Sequence, residues 1–145
     1  MKKLITFISL VSLSCLASAS DSPFRWSAGV GHQHGGALGV QLSYNTGTTK
    51  FYGAAGLIGG AIGFESTFNS SSQHSYGLVV GREEIVGEDG FAFITYNYHP
   101  TGFNQKGWVY GTGIGVTRQD KGSFFADTGE TETIGMVTLN VAYKF

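Results

Sequence analysis

The sequence predicts an all-β protein of eight antiparallel strands in up-and-down order, closed into a barrel. Three observations predict it. Segments of about ten residues, most of them alternating apolar and polar, are separated by clusters of turn-forming residues. Glycine is abundant, at 23 of 145 residues, while charged residues make up only 13% against the ~25% of ordinary soluble domains. Beyond the first 19 residues no stretch shows helical periodicity.

The opening stretch, MKKLITFISLVSLSCLASAS, is set apart. It has Lys2 and Lys3, an apolar run from Leu4 to Leu16, and Ala17-Ser18-Ala19 ahead of Ser20. This is the pattern of a cleaved signal peptide over residues 1–19, with an apolar run shorter than the ~20 residues a spanning helix needs. Residues 20–145 then form one domain. The single cysteine, Cys15, falls inside the leader, and Ser12 stands where a lipoprotein signal would carry Leu, so no lipid anchor is expected. The exported part is left without thiol, disulfide or thiolate metal site. A closed sheet, whose strand edges are all paired, needs no such cross-links.

The strands follow in order. The first, FRWSAGVGHQ (24–33), sets Trp26, Ala28 and Val30 against Arg25, Ser27, Gly29, Gly31 and Gln33. After His34-Gly35-Gly36 comes ALGVQLSYN (37–45), with Leu38, Val40 and Leu42 against Gly39, Gln41 and Ser43. The third, KFYGAAGLIG (50–59), favours neither face, because Phe51, Tyr52, Leu57 and Ile58 follow no alternation. A tight turn at Gly59-Gly60 leads into GAIGFESTFN (60–69), where Ile62 and Phe64 oppose Glu65 and Thr67. SYGLVVGRE (75–83), FAFITYNYH (91–99) and GWVYGTGIGVTR (107–118) continue the series, the last setting Tyr110, Ile114 and Val116 against Gly111, Gly113 and Gly115. The eighth, IGMVTLNVAYKF (134–145), sets Val137, Leu139, Val141, Tyr143 and Phe145 against Thr138, Asn140 and Lys144. These lengths match the ~9–11 residues of a tilted membrane strand rather than the mean strand of ~5–6.

Eight strands put both termini on one side, so alternate connections must share a side. The odd hairpins include residues 83–90 and 119–133, which together hold eight of the ten acidic residues. Long charged loops opposite the termini are the arrangement of outer-membrane barrels. At the terminus end every strand supplies an aromatic: Phe24 and Trp26, Tyr44, Phe51 or Tyr52, Phe68, Tyr76, Tyr96 and Tyr98, Trp108 and Tyr110, Tyr143 and Phe145. Such a ring of aromatics is what a membrane interface selects. The apolar stripe therefore faces lipid. The opposite set, including Arg25, Gln41, Glu65, Asn140 and Lys144, faces a polar lumen that eight strands make just wide enough for side chains to fill.

Leader, eight alternating strands, glycine and aromatic richness, and the closing VTLNVAYKF together resemble the small outer-membrane β-barrel proteins of Gram-negative bacteria, the OmpA transmembrane-domain and OmpX-like group, over the whole of residues 20–145. The resemblance implies location in the cell outer membrane after export by the general secretory route. It implies contact with lipid and lipopolysaccharide, a monomeric state, and no cofactor. It also implies that Val137, Leu139, Val141, Tyr143 and Phe145 form the signal read by the barrel-assembly machinery.

The fold alone does not name an activity. A structural or surface-interaction role is expected, without catalysis, with Phe124 and Phe125 in the long seventh connection as a contact surface. Two alternatives stay open, a lipid-A-modifying enzyme and a narrow channel. A palmitoyltransferase would carry an amphipathic helix before the first strand, where only residues 20–23 stand. A deacylase would pair His32 or His34 with a serine near the rim, and no serine stands at a matching place in the sequence. His32 and His34 are also weak metal candidates, read more simply as loop residues, and His74 and His99 as polar interface residues. Arg25, Glu65 and Lys144 suggest an ion-pair network that plugs the lumen, while inward glycines could instead leave a wet path or a ligand cavity. With Lys2 and Lys3 set aside the chain is acidic, which gives no footprint for nucleic acid.

Overall fold

Strict alternation of side chains is compatible with only one closed solution here, a sheet that turns one stripe outward and buries the other. The computed structural model describes residues 22–84, 87–120 and 131–145. The expected leader and Phe124 and Phe125 lie outside the described residues. Eight strands, β1 (Phe24–Gly31), β2 (Gly36–Asn45), β3 (Thr49–Gly56), β4 (Gly59–Ser66), β5 (His74–Glu83), β6 (Gly87–Tyr98), β7 (Gly107–Asp120) and β8 (Thr131–Lys144), each pair antiparallel with the next. The barrel closes where β1 meets β8, from Ser27 opposite Lys144 to Val30 opposite Val141.

The outward stripe is apolar and exposed: Leu139 is 77% accessible, Val137 67%, Ile114 65% and Ile62 64%. The inner stripe is buried and largely polar, including Ser27, Gln41, Glu65, Asn97 and Asn140, with an apolar cluster of Tyr52, Ala61, Val79, Phe91 and Phe93. This is the inverse of a water-soluble barrel, and the outer surface suits hydrocarbon rather than water. No helix among the described residues is long and apolar enough to cross a membrane, which says nothing of spanning by strands. Aromatics at the terminus end form contacting pairs on the outer wall, Phe24 with Tyr44, Phe68 with Tyr76, and Trp108 with Tyr143. Tyr52 is the exception, because its alternation with exposed Phe51 turns it inward, where its ring covers Gly63.

Several boundaries differ from those the sequence predicts, and β4 ends at Ser66 rather than Asn69. The turn between β3 and β4 sits at Leu57-Ile58, not Gly59-Gly60, because Gly59 and Gly60 pair with Glu83 and Arg82 on β5. Residues 32–34, expected to start as strand and end as turn, form a single 3-10 turn folded into the barrel. The outer ends of β6, β7 and β8 run further than the loops suggested, with β7 and β8 paired out to Asp120 opposite Thr131.

Candidate functional site

The lumen holds the only chemistry-bearing constellation that the fold assembles among the described residues. Its terminus end is charged. In the β3–β4 register Lys50 stands opposite Glu65, and its Nζ lies 3.0 Å from Glu65 Oε1. Ser75 donates to Glu65 Oε2 at 3.0 Å, and His99 Nε2 lies 2.9 Å from Ser75 Oγ and 3.4 Å from Glu65 Oε2. Lys144 Nζ donates to His99 Nδ1 at 3.1 Å and to the carbonyls of Gly102 and Phe103 at 3.1 and 2.8 Å. The connection between β6 and β7 is thereby drawn into the mouth of the barrel, where Phe103 is buried edge-on to His99. His99 is neutral: burial holds its imidazole below the usual value despite the neighbouring Glu65 carboxylate, and Lys144 occupies its Nδ1 lone pair.

The middle of the lumen is neutral and is filled from the opposite end. The β1–β2 connection turns back on itself through Gly31, Gly35 and Gly36, all at positive φ, a conformation that suits only glycine. Glycines also make its seat. A Cβ at Gly39 would run into the His34 carbonyl oxygen, and one at Gly56 into that of Gly35. In this seat Gln33 and Asn97 exchange two hydrogen bonds, each 3.1 Å, and Gln41 donates to the Gln33 carbonyl at 3.1 Å. Because Asn140 Oδ1 can only accept, His34 Nδ1–H is the donor of their 3.0 Å bond. His34 Nε2 is then free to accept from Ser27 Oγ at 3.1 Å, with Gln41 Oε1 a second acceptor at 3.3 Å. Above this layer His32 packs edge-on against Phe91 and Phe93, and its Nε2 lies 3.6 Å from Glu83.

Of the residues singled out in the sequence, Gln41, Glu65, Asn140 and Lys144 are buried in the lumen, while Arg25 is half-buried and makes no ion pair among the described residues. Arg25 Nε is buried without a hydrogen-bond partner among the described residues. The cation paired with the Glu65 carboxylate, expected to be Arg25 or Lys144, is instead Lys50. Lys50 was legible in principle. With the turn at Leu57-Ile58 the register pairs Glu65 with Lys50, but a turn placed two residues later pairs it with Ala54. His32 and His34 are not loop residues in solvent, since the tight glycine turn buries His34 and half-buries His32, and their rings serve different neighbours. Among the described residues no group of three or more His, Cys, Asp or Glu comes together to hold a metal. His99, expected at the polar interface, is fully buried, whereas His74 is exposed and bonds the Tyr96 hydroxyl at 2.6 Å. Val137, Leu139, Val141, Tyr143 and Phe145 all lie on the exposed outward stripe.

Two serine–histidine contacts bear on catalysis. In the Ser75–His99 pair the ring proton sits on Nε2, since Nδ1 accepts from Lys144, so His99 has no lone pair to take the Ser75 proton. Ser27–His34–Asn140 has the polarity a nucleophile, base and orienting group require, and Ser27 is the serine that sequence reasoning did not find. It was hidden because a turn of the chain, not strand alternation, brings His34 back over Ser27. All three residues are nonetheless at most 6% exposed beneath the folded-in turn.

Comparison with protein-family models, with curated proteins and with solved structures yields no match to this chain.

Proposed function

We propose that this chain is an outer-membrane β-barrel protein with a structural or surface-interaction role, embedded as a monomer among lipid and lipopolysaccharide, with its lumen sealed and no cofactor. The observation that carries the reading is the pairing of an apolar outer wall with a largely polar lumen filled from both ends, by the 32–34 turn and by His99 and Phe103. Side chains that bond one another across the lumen leave interaction to the outer wall and to the connections opposite the termini. The lipid-facing Val137, Leu139, Val141, Tyr143 and Phe145 stripe fits recognition by the barrel-assembly machinery. Membrane fractionation together with the gel mobility of boiled and unboiled samples tests this. The expected result is outer-membrane recovery and a heat-dependent mobility shift, and purification as a soluble periplasmic protein would contradict it.

The Ser27–His34–Asn140 chain favours a second reading, hydrolysis of a lipid A acyl ester. Mass spectrometry of lipid A from cells expressing the parent or Ser27→Ala separates the two. The primary reading expects identical profiles, and an acyl loss that depends on Ser27 would favour the enzyme.

A further inference from the structure

We propose that the terminus end of the lumen binds a small divalent oxyanion of the phosphate class, taken from the adjoining water and held by Arg25. The proposal goes beyond the reading above and stands on the lumen alone. Arg25 alternates with exposed Phe24 and Trp26 and stands opposite buried Ser43, so the register turns it inward. Its guanidinium makes no ion pair and no hydrogen bond among the described residues, and its Nε is buried without an acceptor. A buried donor left without a partner is costly, and a charged one more so.

The charge around Arg25 is unbalanced. Ser27 stands opposite Lys144 where β1 meets β8. Arg25 is therefore the diagonal neighbour of Lys144 on the same face, ~7–8 Å away and within reach of long side chains. Lys144 feels Arg25 and Lys50 as like charges and Glu65 as the opposite one. His99 is neutral, and every other acidic residue of the described segments lies at the opposite end, at positions 83, 84, 88, 89, 120 and 132. Three cations, Arg25, Lys50 and Lys144, thus face one carboxylate, Glu65, which leaves a surplus of two positive charges. A lumen that solvates ions poorly favours a counter-ion there.

The donors left over define the ligand. Lys144 gives its N–H groups to His99 and to the Gly102 and Phe103 carbonyls, which satisfies them without cancelling the charge. Lys144 therefore contributes field rather than a further hydrogen bond. Arg25 keeps its planar fork of donors, and paired N–H groups of such a fork match two oxygens of one tetrahedral oxyanion. A divalent ion cancels the surplus, which a chloride or a single carboxylate does not. Arg25 is only half-buried, so water reaches it, while Phe24 and Tyr44 pack together on the outer face of the same wall. That wall stands between Arg25 and any lipid headgroup and favours a free ion.

Calorimetric titration of inorganic phosphate into the protein, purified in a sugar-based detergent that carries no phosphate, tests this against chloride at equal ionic strength. Saturable binding of a single phosphate by the parent is expected, with none of chloride. Affinity should fall about tenfold or more in Arg25→Gln. Arg25→Lys should lie between the two, because it restores the charge and not the fork. Circular dichroism of each protein separates a lost site from a lost fold, and the parent titration decides the site even where a variant does not fold. Non-saturable uptake, or equal heats from phosphate and chloride, would mean an adventitious ion only and overturn the site. Equal affinity in parent and folded Arg25→Gln would overturn Arg25 as its holder. Displacement of the phosphate by an anionic phospholipid added to the micelles would overturn the free ion as occupant.

Discussion

The two layers of the lumen solve the same problem in different currencies. At the terminus end charges are buried and compensated, Lys50 by Glu65 and Lys144 by two carbonyls and a neutral imidazole. In the middle layer every partner is neutral, and Gln33, His34, Gln41, Asn97 and Asn140 meet through amide and imidazole bonds at 3.0–3.1 Å. A charged layer is costly to break, because removing one member strands an ion in a medium that cannot solvate it. A neutral layer is cheaper per contact and depends on shape, here on glycines that admit the returning chain. One end of this barrel is held by electrostatics and the other by fit.

The largest expected effect comes from the charged end. Glu65→Gln keeps the volume but leaves Lys50 without its carboxylate, and should cost about 3–5 kcal/mol in urea unfolding of the barrel reconstituted in liposomes. A cost below ~1 kcal/mol would mean that water reaches this lysine. Next is the seat of the folded-in turn. Gly39→Val places a side chain where the His34 carbonyl lies, and should cost toward the upper end of ~1–3 kcal/mol while raising hydrogen exchange at residues 31–36. Unchanged exchange there would show that the turn does not need this glycine. The smallest effect is expected for Gln33→Ala, which removes both bonds to Asn97 and leaves that amide unsatisfied, at about 1–2 kcal/mol by the same unfolding measurement.

How far each layer could be read from sequence follows from the same difference. The stripes were plain in β2, β4, β7 and β8, where alternation is strict, so Gln41, Glu65, Asn140 and Lys144 fell on the inner face from parity alone. The third strand was opaque because Phe51 and Tyr52 are adjacent aromatics on opposite faces, one for lipid and one for the lumen. That ambiguity displaced the following turn and hid Lys50. The neutral layer was harder still. Its key residues, Gln33 and His34, come from a connection, and no periodicity states that a glycine-rich connection folds inward rather than outward. The glycines recorded the event only indirectly, Gly39 and Gly56 marking where another backbone approaches.

The central claim is that the lumen is filled and held shut from both ends, and planar-bilayer recording of the purified barrel tests it most directly. The parent should show no stable conductance steps at moderate voltage. Reproducible single-channel steps from the parent, of uniform size and dependent on its insertion, would contradict the account and restore the narrow channel.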